Sequence, residues 1–247
     1  MTYCVGMMLN KGLVFMSDTR TNAGLDNIST FGKMKIWEAE GDRVITLLSA
    51  GNLATTQAVV SELDERVKAH AQRNPSIFEA ASMYQVACLV ADTLRDVIAR
   101  NADSGQRADA VFNATLLLGG QIAGGPPRLF LIYPEGNFIE AGPDTPFFQI
   151  GEIKYGRPIL VRAYDPDLSF NDAIKLLLVS FDSTVKANLT VGAPFDYHLY
   201  RSDSLVRGDT GRIELDDPYF QTISQGWSDA LKLALDSLPA FGAPLPE

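Results

Sequence analysis

Strand-like and helix-like stretches come in blocks along this chain, and their order constrains the fold more than any other feature. Residues 2–9 mix β-branched, aromatic and small apolar side chains. Asn10-Lys11-Gly12 is a turn signal, and Leu13 to Met16 resumes the apolar run. This reads as a hairpin that begins almost at the first residue. Residues 19–32 are small and polar and read as a loop. Residues 33–37 alternate charged and apolar groups, which predicts a strand with Lys33 and Lys35 on one face. After a turn at residues 40–43, Val44 to Ser49 is another apolar strand. Two helices follow. The first, over 54–71, carries Val59, Leu63 and Val67 at helical spacing. Asn74-Pro75 breaks it. The second runs from a Ser76/Glu79 capping box to about Arg100, with a stripe of Ile77, Ala81, Tyr84, Cys88, Ala91 and Leu94.

A second strand block spans about 108–150, clearest at 111–118, 129–133 and 147–150. Helical pattern returns at about 153–163 and 170–187, a short strand covers 196–199, and a helix closes the pattern at about 219–238. Blocks of this kind favour antiparallel sheets with helical layers over a parallel βαβ order. Each amphipathic helix must cover a sheet face, and two stacked sheets between two helical layers satisfy that count. No repeat or linker interrupts the chain, so residues 1–247 are read as one domain.

Composition narrows the function classes. Apolar residues at 46% and charged residues at 21% describe a globular chain with a large core. The formal net charge of −9 repels phosphate, and no basic cluster reverses it, so nucleic acid is not the expected partner. The start lacks the basic and apolar regions of a secretory signal, and no apolar run approaches the ~20 residues of a membrane helix. A cytoplasmic protein with no membrane contact is expected. Cys4 and Cys88 are read as buried, reduced thiols. His70 and His198 have no partner at ligand spacing, so neither a metal nor a cofactor is expected. Two histidines also leave no obvious Ser-His-Asp triad.

Thr2 follows a single Met. A small second residue favours removal of Met1, which would place a free α-amine beside a hydroxyl. An α-amine titrates near 7.7–8.0, so it can act as a base for that hydroxyl near neutrality. Many chains begin Met-Thr, so Thr2 alone proves nothing. Asp18, however, ends the strand that pairs with the first one, and the hairpin returns it beside Thr2. Lys33 or Lys35, facing inward near Asp18, would favour the ionised hydroxyl; on a solvated sheet edge, either would only guard that edge. Ser49-Ala50-Gly51-Asn52 marks a strand-to-helix junction whose amides can face an oxyanion, or where Asn52 simply caps the helix.

These residues carry a resemblance. Asp18-Thr19-Arg20-Thr21-Asn22-Ala23-Gly24 is similar to the Asp-Ser-Arg-Ala-Thr-Ala-Gly segment of proteasome β-subunits, and the Thr2–Asp18 spacing fits. Thr30-Phe31-Gly32-Lys33 resembles the segment that ends in the family's active-site lysine, and Ser49-Ala50-Gly51 its oxyanion segment. The start Met-Thr-Tyr-Cys-Val-Gly and Asn188-Leu189-Thr190-Val191-Gly192 resemble the bacterial ancestral β-subunit branch, Anbu. The resemblance spans essentially the whole chain. It implies an α+β fold, a four-layer αββα sandwich of the N-terminal-nucleophile hydrolase type. It further implies Thr2 as nucleophile and Gly51 as oxyanion donor. Asp18 and Lys33 would tune the nucleophile, with Lys35 the alternative lysine. There are departures: Glu152 stands after Gly151 where the family has a serine hydroxyl. Asn188 stands for an aspartate, and Thr190 partly supplies another serine hydroxyl.

The implied activity is hydrolysis of a peptide or peptide-like substrate through an acyl-enzyme on Thr2, inside a large homo-oligomer. The rival is a ring or filament component without turnover, which the altered groups at 152, 188 and 190 favour. Whether an ATP-dependent unfoldase feeds such an assembly is left open by the sequence.

Overall fold

The computed structural model describes residues 2–22, 28–68, 75–102 and 112–242; Met1, Gly24, His70 and the segments around them lie outside the described residues. In chain order the elements are β1 (Tyr3–Leu9), β2 (Gly12–Asp18), β3 (Arg20–Asn22), β4 (Ile28–Thr30), β5 (Met34–Ala39), β6 (Arg43–Gly51), α1 (Leu53–Lys68) and α2 (Met83–Ala102). Then come β7 (Ala114–Ile122), β8 (Arg128–Ile132), β9 (Phe138–Glu140), β10 (Phe147–Gly151), α3 (Arg157–Ala163), α4 (Phe170–Ala187), β11 (Phe195–Arg201), β12 (Asp209–Ile213) and α5 (Pro218–Asp236). Among them no helix is long and apolar enough to cross a membrane.

Two antiparallel sheets form the centre. One has the order β10-β1-β2-β11-β12 and the other β5-β6-β7-β8-β9. Three apolar cores separate four layers. Cys4, Leu13, Phe15, Val44, Leu48 and Leu117 fill the space between the sheets. Val5, Met7, Val14 and Met16 face Leu177, Phe181 and Phe220 of α4 and α5. Ile45, Leu47, Leu116 and Leu118 face α1 and α2. Hence β2, covered on both faces, is buried at every position and reads as a continuous apolar run. The architecture is the α+β four-layer αββα sandwich.

The structure corrects the sequence reading in several places. Residues 19–32 contain a two-stranded ribbon, Arg20↔Thr30 to Asn22↔Ile28, whose polar composition hides it. The second helix starts at Met83, not at Ser76. Only half of the Ser76/Glu79 box forms: Ser76 N–H donates to Glu79 Oε2 at 2.8 Å, while the Glu79 amide goes to the Ser76 carbonyl and leaves the Ser76 hydroxyl without a partner among the described residues. It serves one turn, because Arg43 Nη1 donates to the carbonyls of Ile77 (3.0 Å) and Ala80 (2.7 Å). A continuous helix would need those carbonyls. The Ala81 amide turns instead to the Gln85 side chain at 2.8 Å.

The later start rotates the buried stripe. Met83, Val86, Val90, Leu94 and Val97 are buried, whereas Tyr84 is exposed. Cys88 is accordingly half-buried rather than buried; Cys4 is buried.

Candidate active site

The β1–β2 hairpin builds the site first. Its register pairs Cys4 with Ser17, so Asp18 lies opposite the start of β1. Tyr3 N–H donates to Asp18 Oδ1 at 2.9 Å. Lys33, one step before β5, is fixed by its carbonyl, which accepts from the Ser49 amide at 3.0 Å. Its Nζ reaches Asp18 Oδ1 at 2.6 Å and the Arg20 carbonyl at 2.7 Å. Gly192 N–H approaches Asp18 Oδ2 at 3.4 Å. Both side chains are out of solvent. Burial pushes the Asp18 carboxyl above the usual carboxylate range, against the opposing pull of the Lys33 ammonium and the Tyr3 and Gly192 amides.

Lys35 does not share this arrangement. Its Nζ pairs with Asp64 Oδ2 on α1 at 2.8 Å, half in solvent. Asp64 also accepts from Trp37 Nε1 at 2.7 Å. The alternating pattern had placed both lysines on one face. Both line the same cavity, yet their ammonium groups take different carboxylates.

Thr2 is held from the other side by β10. Glu152 N–H donates to the Thr2 carbonyl at 2.7 Å. Gly151, at φ 83°, passes so close that a Cβ there would lie 1.9 Å from that carbonyl oxygen. Only glycine fits. The Glu152 carboxylate then begins a chain of hydrogen bonds. Asn188 Nδ2 donates to Glu152 Oε2 at 2.9 Å, and Thr190 donates to Asn188 Oδ1 through its amide (3.0 Å) and hydroxyl (2.6 Å). Thus Glu152, Asn188 and Thr190 are joined to one another, and they reach Thr2 through the Glu152 backbone.

Gly51 closes the far wall. It ends β6 at φ 116°, where a Cβ would meet the Asn113 carbonyl at 2.3 Å. Asn52 caps α1, its Oδ1 accepting from the Thr55 amide at 3.0 Å. Thr2, Lys33, Lys35, Gly51 and Gly151 all line one cavity of about 700 Å³.

Sequence reasoning missed the parts that act through backbone. The Arg20 carbonyl and the Gly192 amide hold the Lys33–Asp18 pair, yet neither group depends on a side chain. The Arg20 guanidinium is itself locked, donating to the Leu189 carbonyl at 2.8 Å. It packs on Gly192, where a Cβ would come within 2.4 Å of it. The glycine that ends the apolar strand β10, Gly151, was the one legible sign of a close approach.

The comparisons with known proteins follow the same outline. The family profile described as "Proteasome subunit" matches residues 2–192. No curated protein matches the chain. Among solved structures, Anbu (ancestral beta-subunit) from Yersinia bercovieri is 47% identical, with a TM-score of 0.90, over 99% of this chain and 100% of that one. Anbu from Hyphomicrobium sp. strain MC1 is 48% identical, with a TM-score of 0.89, over 98% of this chain and 100% of that one. A structure described as the helical assembly of the Anbu complex from Pseudomonas aeruginosa is 47% identical, with a TM-score of 0.90, over 98% of each chain. The chain therefore belongs to the proteasome subunit family, in its ancestral β-subunit (Anbu) branch.

Proposed function

We propose that this chain is an N-terminal-threonine amide hydrolase acting on peptide or peptide-like substrates. Met1 is removed first, which converts the Thr2 nitrogen from an amide to an amine. That amine takes the proton of the Thr2 hydroxyl as Oγ attacks the substrate carbonyl. The Lys33 ammonium favours the developing alkoxide, and Asp18 holds Lys33 in place. The Gly51 amide stabilises the oxyanion. The tetrahedral intermediate collapses, and the same proton passes to the leaving amine. Water then attacks the acyl-enzyme ester and returns the free hydroxyl. Glu152, Asn188 and Thr190 keep the start of β1 in register.

The observation that carries this reading is the buried Lys33–Asp18 pair at 2.6 Å, on the wall of a cavity that Thr2 and Gly51 share. Family membership supports it. The protein works in the cytoplasm as a large homo-oligomer, in keeping with the assembled relative and with an apolar surface left open on α5.

The test is intact mass of cell-made protein, with and without an electrophile that needs both amine and hydroxyl. A chain short of Met1 that gains one probe on Thr2 is expected. Full retention of Met1 in cells would end the mechanism. An assembled, demethionylated chain that takes up no probe would leave the rival reading, a ring or filament component without turnover.

A further inference from the structure

The layer between the first sheet and α4 is largely apolar, yet a buried row of hydrogen bonds crosses it under the start of β1. Tyr3, the residue after Thr2, is fully buried, with its ring centroid 4.4 Å from that of Phe181. Its hydroxyl meets Gln149 Nε2 at 2.6 Å and Ser180 Oγ at 2.7 Å. Ser180 Oγ reaches the Gly156 carbonyl at 3.0 Å. A serine hydroxyl has one hydrogen to give and a carbonyl can only accept, so the direction of the row is fixed. The Gln149 amide donates to the Tyr3 oxygen, the Tyr3 hydroxyl to Ser180, and Ser180 to Gly156. Both ends lead back to Thr2. Gln149 lies on β10, the strand whose last residue, Gly151, passes against Thr2. Gly156 closes the turn that Glu152 opens, and the Glu152 amide holds the Thr2 carbonyl at 2.7 Å. The Thr2–Tyr3 peptide group is thus gripped at its oxygen by Glu152 and at its nitrogen by Asp18. The Tyr3 hydroxyl ties its side chain to the segment that makes the first grip.

Two features show that stability alone would not retain this row. Gly156 has φ −84° and ψ −24°, which any residue can adopt, so its backbone does not require glycine. The hydroxyls do: a Cβ there would lie 2.3 Å from both Ser180 Oγ and the Tyr3 hydroxyl oxygen. Gln149 commits its Nε2 to Tyr3 while its buried Oε1 has no partner among the described residues. An apolar side chain would avoid that loss. Departures of this kind gather where a site demands geometry. Burial pushes the Tyr3 phenol well above its usual range, against the pull of its hydrogen bonds to Ser180 and Gln149, so the hydroxyl keeps its proton. It acts as a tether and not as a base. Tyr3 is also absent from the walls of the cavity beside Thr2, so it does not meet a substrate there.

We propose that Tyr3 is a positioning residue, whose hydroxyl, held between Gln149 and Ser180, sets the Thr2–Tyr3 peptide and so the angle at which the Thr2 hydroxyl and amine meet a substrate carbonyl. This role rests on the reading of Thr2 as nucleophile.

The experiment measures the rate of covalent labelling by the Thr2 electrophile over a range of probe concentrations, counting only chains that intact mass shows to lack Met1. Tyr3→Phe combined with Gln149→Met removes both members of one hydrogen bond together with the bare oxygen. Its melting temperature should equal or exceed that of the wild type. The probe concentration that gives half the maximal rate should stay the same, because neither residue lines the cavity. The maximal rate should fall about tenfold or more. Gly156→Ala, which the backbone permits, pushes the two hydroxyls apart and should lower the maximal rate in the same way, whether or not the double variant folds. Val5→Ala is the control: it loosens the same apolar layer, directly opposite Gln149, without touching the row. It should lower the melting temperature while the maximal rate stays within about twofold of the wild type. Tyr3→Phe/Gln149→Met or Gly156→Ala labelling at the wild-type rate overturns the proposal, as does a rate in Val5→Ala that falls as far as theirs. A wild type without Met1 that takes up no probe overturns the Thr2 reading and takes this inference with it. A labelled wild type with equally labelled variants overturns this inference alone.

Discussion

At the scale of single residues, two lysines of one sequence pattern carry opposite expectations. Lys33→Ala leaves Asp18 buried without its cation, which should cost about 3–5 kcal/mol of stability and abolish labelling of Thr2. Adding Asp18→Asn should restore much of the melting temperature but no labelling, which separates charge burial from chemistry. Lys35→Ala breaks a pair that is half in solvent, so at most about 1 kcal/mol is lost and labelling persists. Labelling by Lys33→Ala at the wild-type rate would refute the assignment. Buried His198 makes a pH prediction. Its Nε2–H donates to the Arg207 carbonyl, so Nδ1 accepts from the Thr46 hydroxyl at 2.8 Å and ties the two sheets together. Burial chiefly, and the nearby Arg207 charge, lower its pKa to about 4, against the opposing effects of that hydrogen bond and of Glu38. Above pH ~6.5 both folded and unfolded forms are neutral and nothing is lost. Below it the unfolded chain binds the proton first, so stability falls until about pH 4, by about 3 kcal/mol. His198→Gln keeps both hydrogen bonds without titrating. Its melting temperature should fall less steeply across this window; parallel curves for both proteins would contradict the argument.

At the scale of elements, what was legible in the sequence was local. The Asn10-Lys11-Gly12 turn fixed the hairpin register, and that register alone brings Asp18 to the start of β1. Blocks of apolar runs gave the layers, because a strand covered on both faces shows no alternation. The misread start of α2 has a non-local cause. Half of its capping box forms, but Arg43, 34 residues away from Ile77, takes the carbonyls that would have continued the helix. Likewise the Arg20 carbonyl at Lys33 and the Gly192 amide at Asp18 depend on chain crossings that no side-chain pattern records. Arg43→Met therefore tests how far this joint matters. It should lower stability by about 3 kcal/mol, since two carbonyls lose a charged donor. Labelling of Thr2 should survive, because Arg43 starts β6 and Gly51 ends it. Loss of labelling at a temperature where the variant remains folded would mean that the joint sets the site as well.

At the scale of the whole molecule, the outer face of α5 is the unfinished surface. Leu231 is 50% exposed and Leu235 70%, four residues apart on one face of the helix. Beside them Ile159, Leu176, Val179, Ile223 and Trp227 line a groove of about 660 Å³ between α3, α4 and α5. Apolar area of this kind on an exposed surface is normally covered by a partner, and a second copy is the simplest candidate, in line with the helical assembly that a relative forms. Changing Leu231 and Leu235 together to Glu should leave the core intact, since both side chains are open to solvent, while making burial against a second copy costly. Light scattering at micromolar concentration should then give a much smaller species than the wild type, at nearly the same melting temperature of the protomer. Thr2, Asp18, Lys33, Gly51 and Glu152 all come from one chain, so a small electrophile should still label Thr2 in the dissociated variant. A variant that assembles like the wild type would move the self-contact to another face. A dissociated variant that has lost labelling would mean that the copies complete each other's sites.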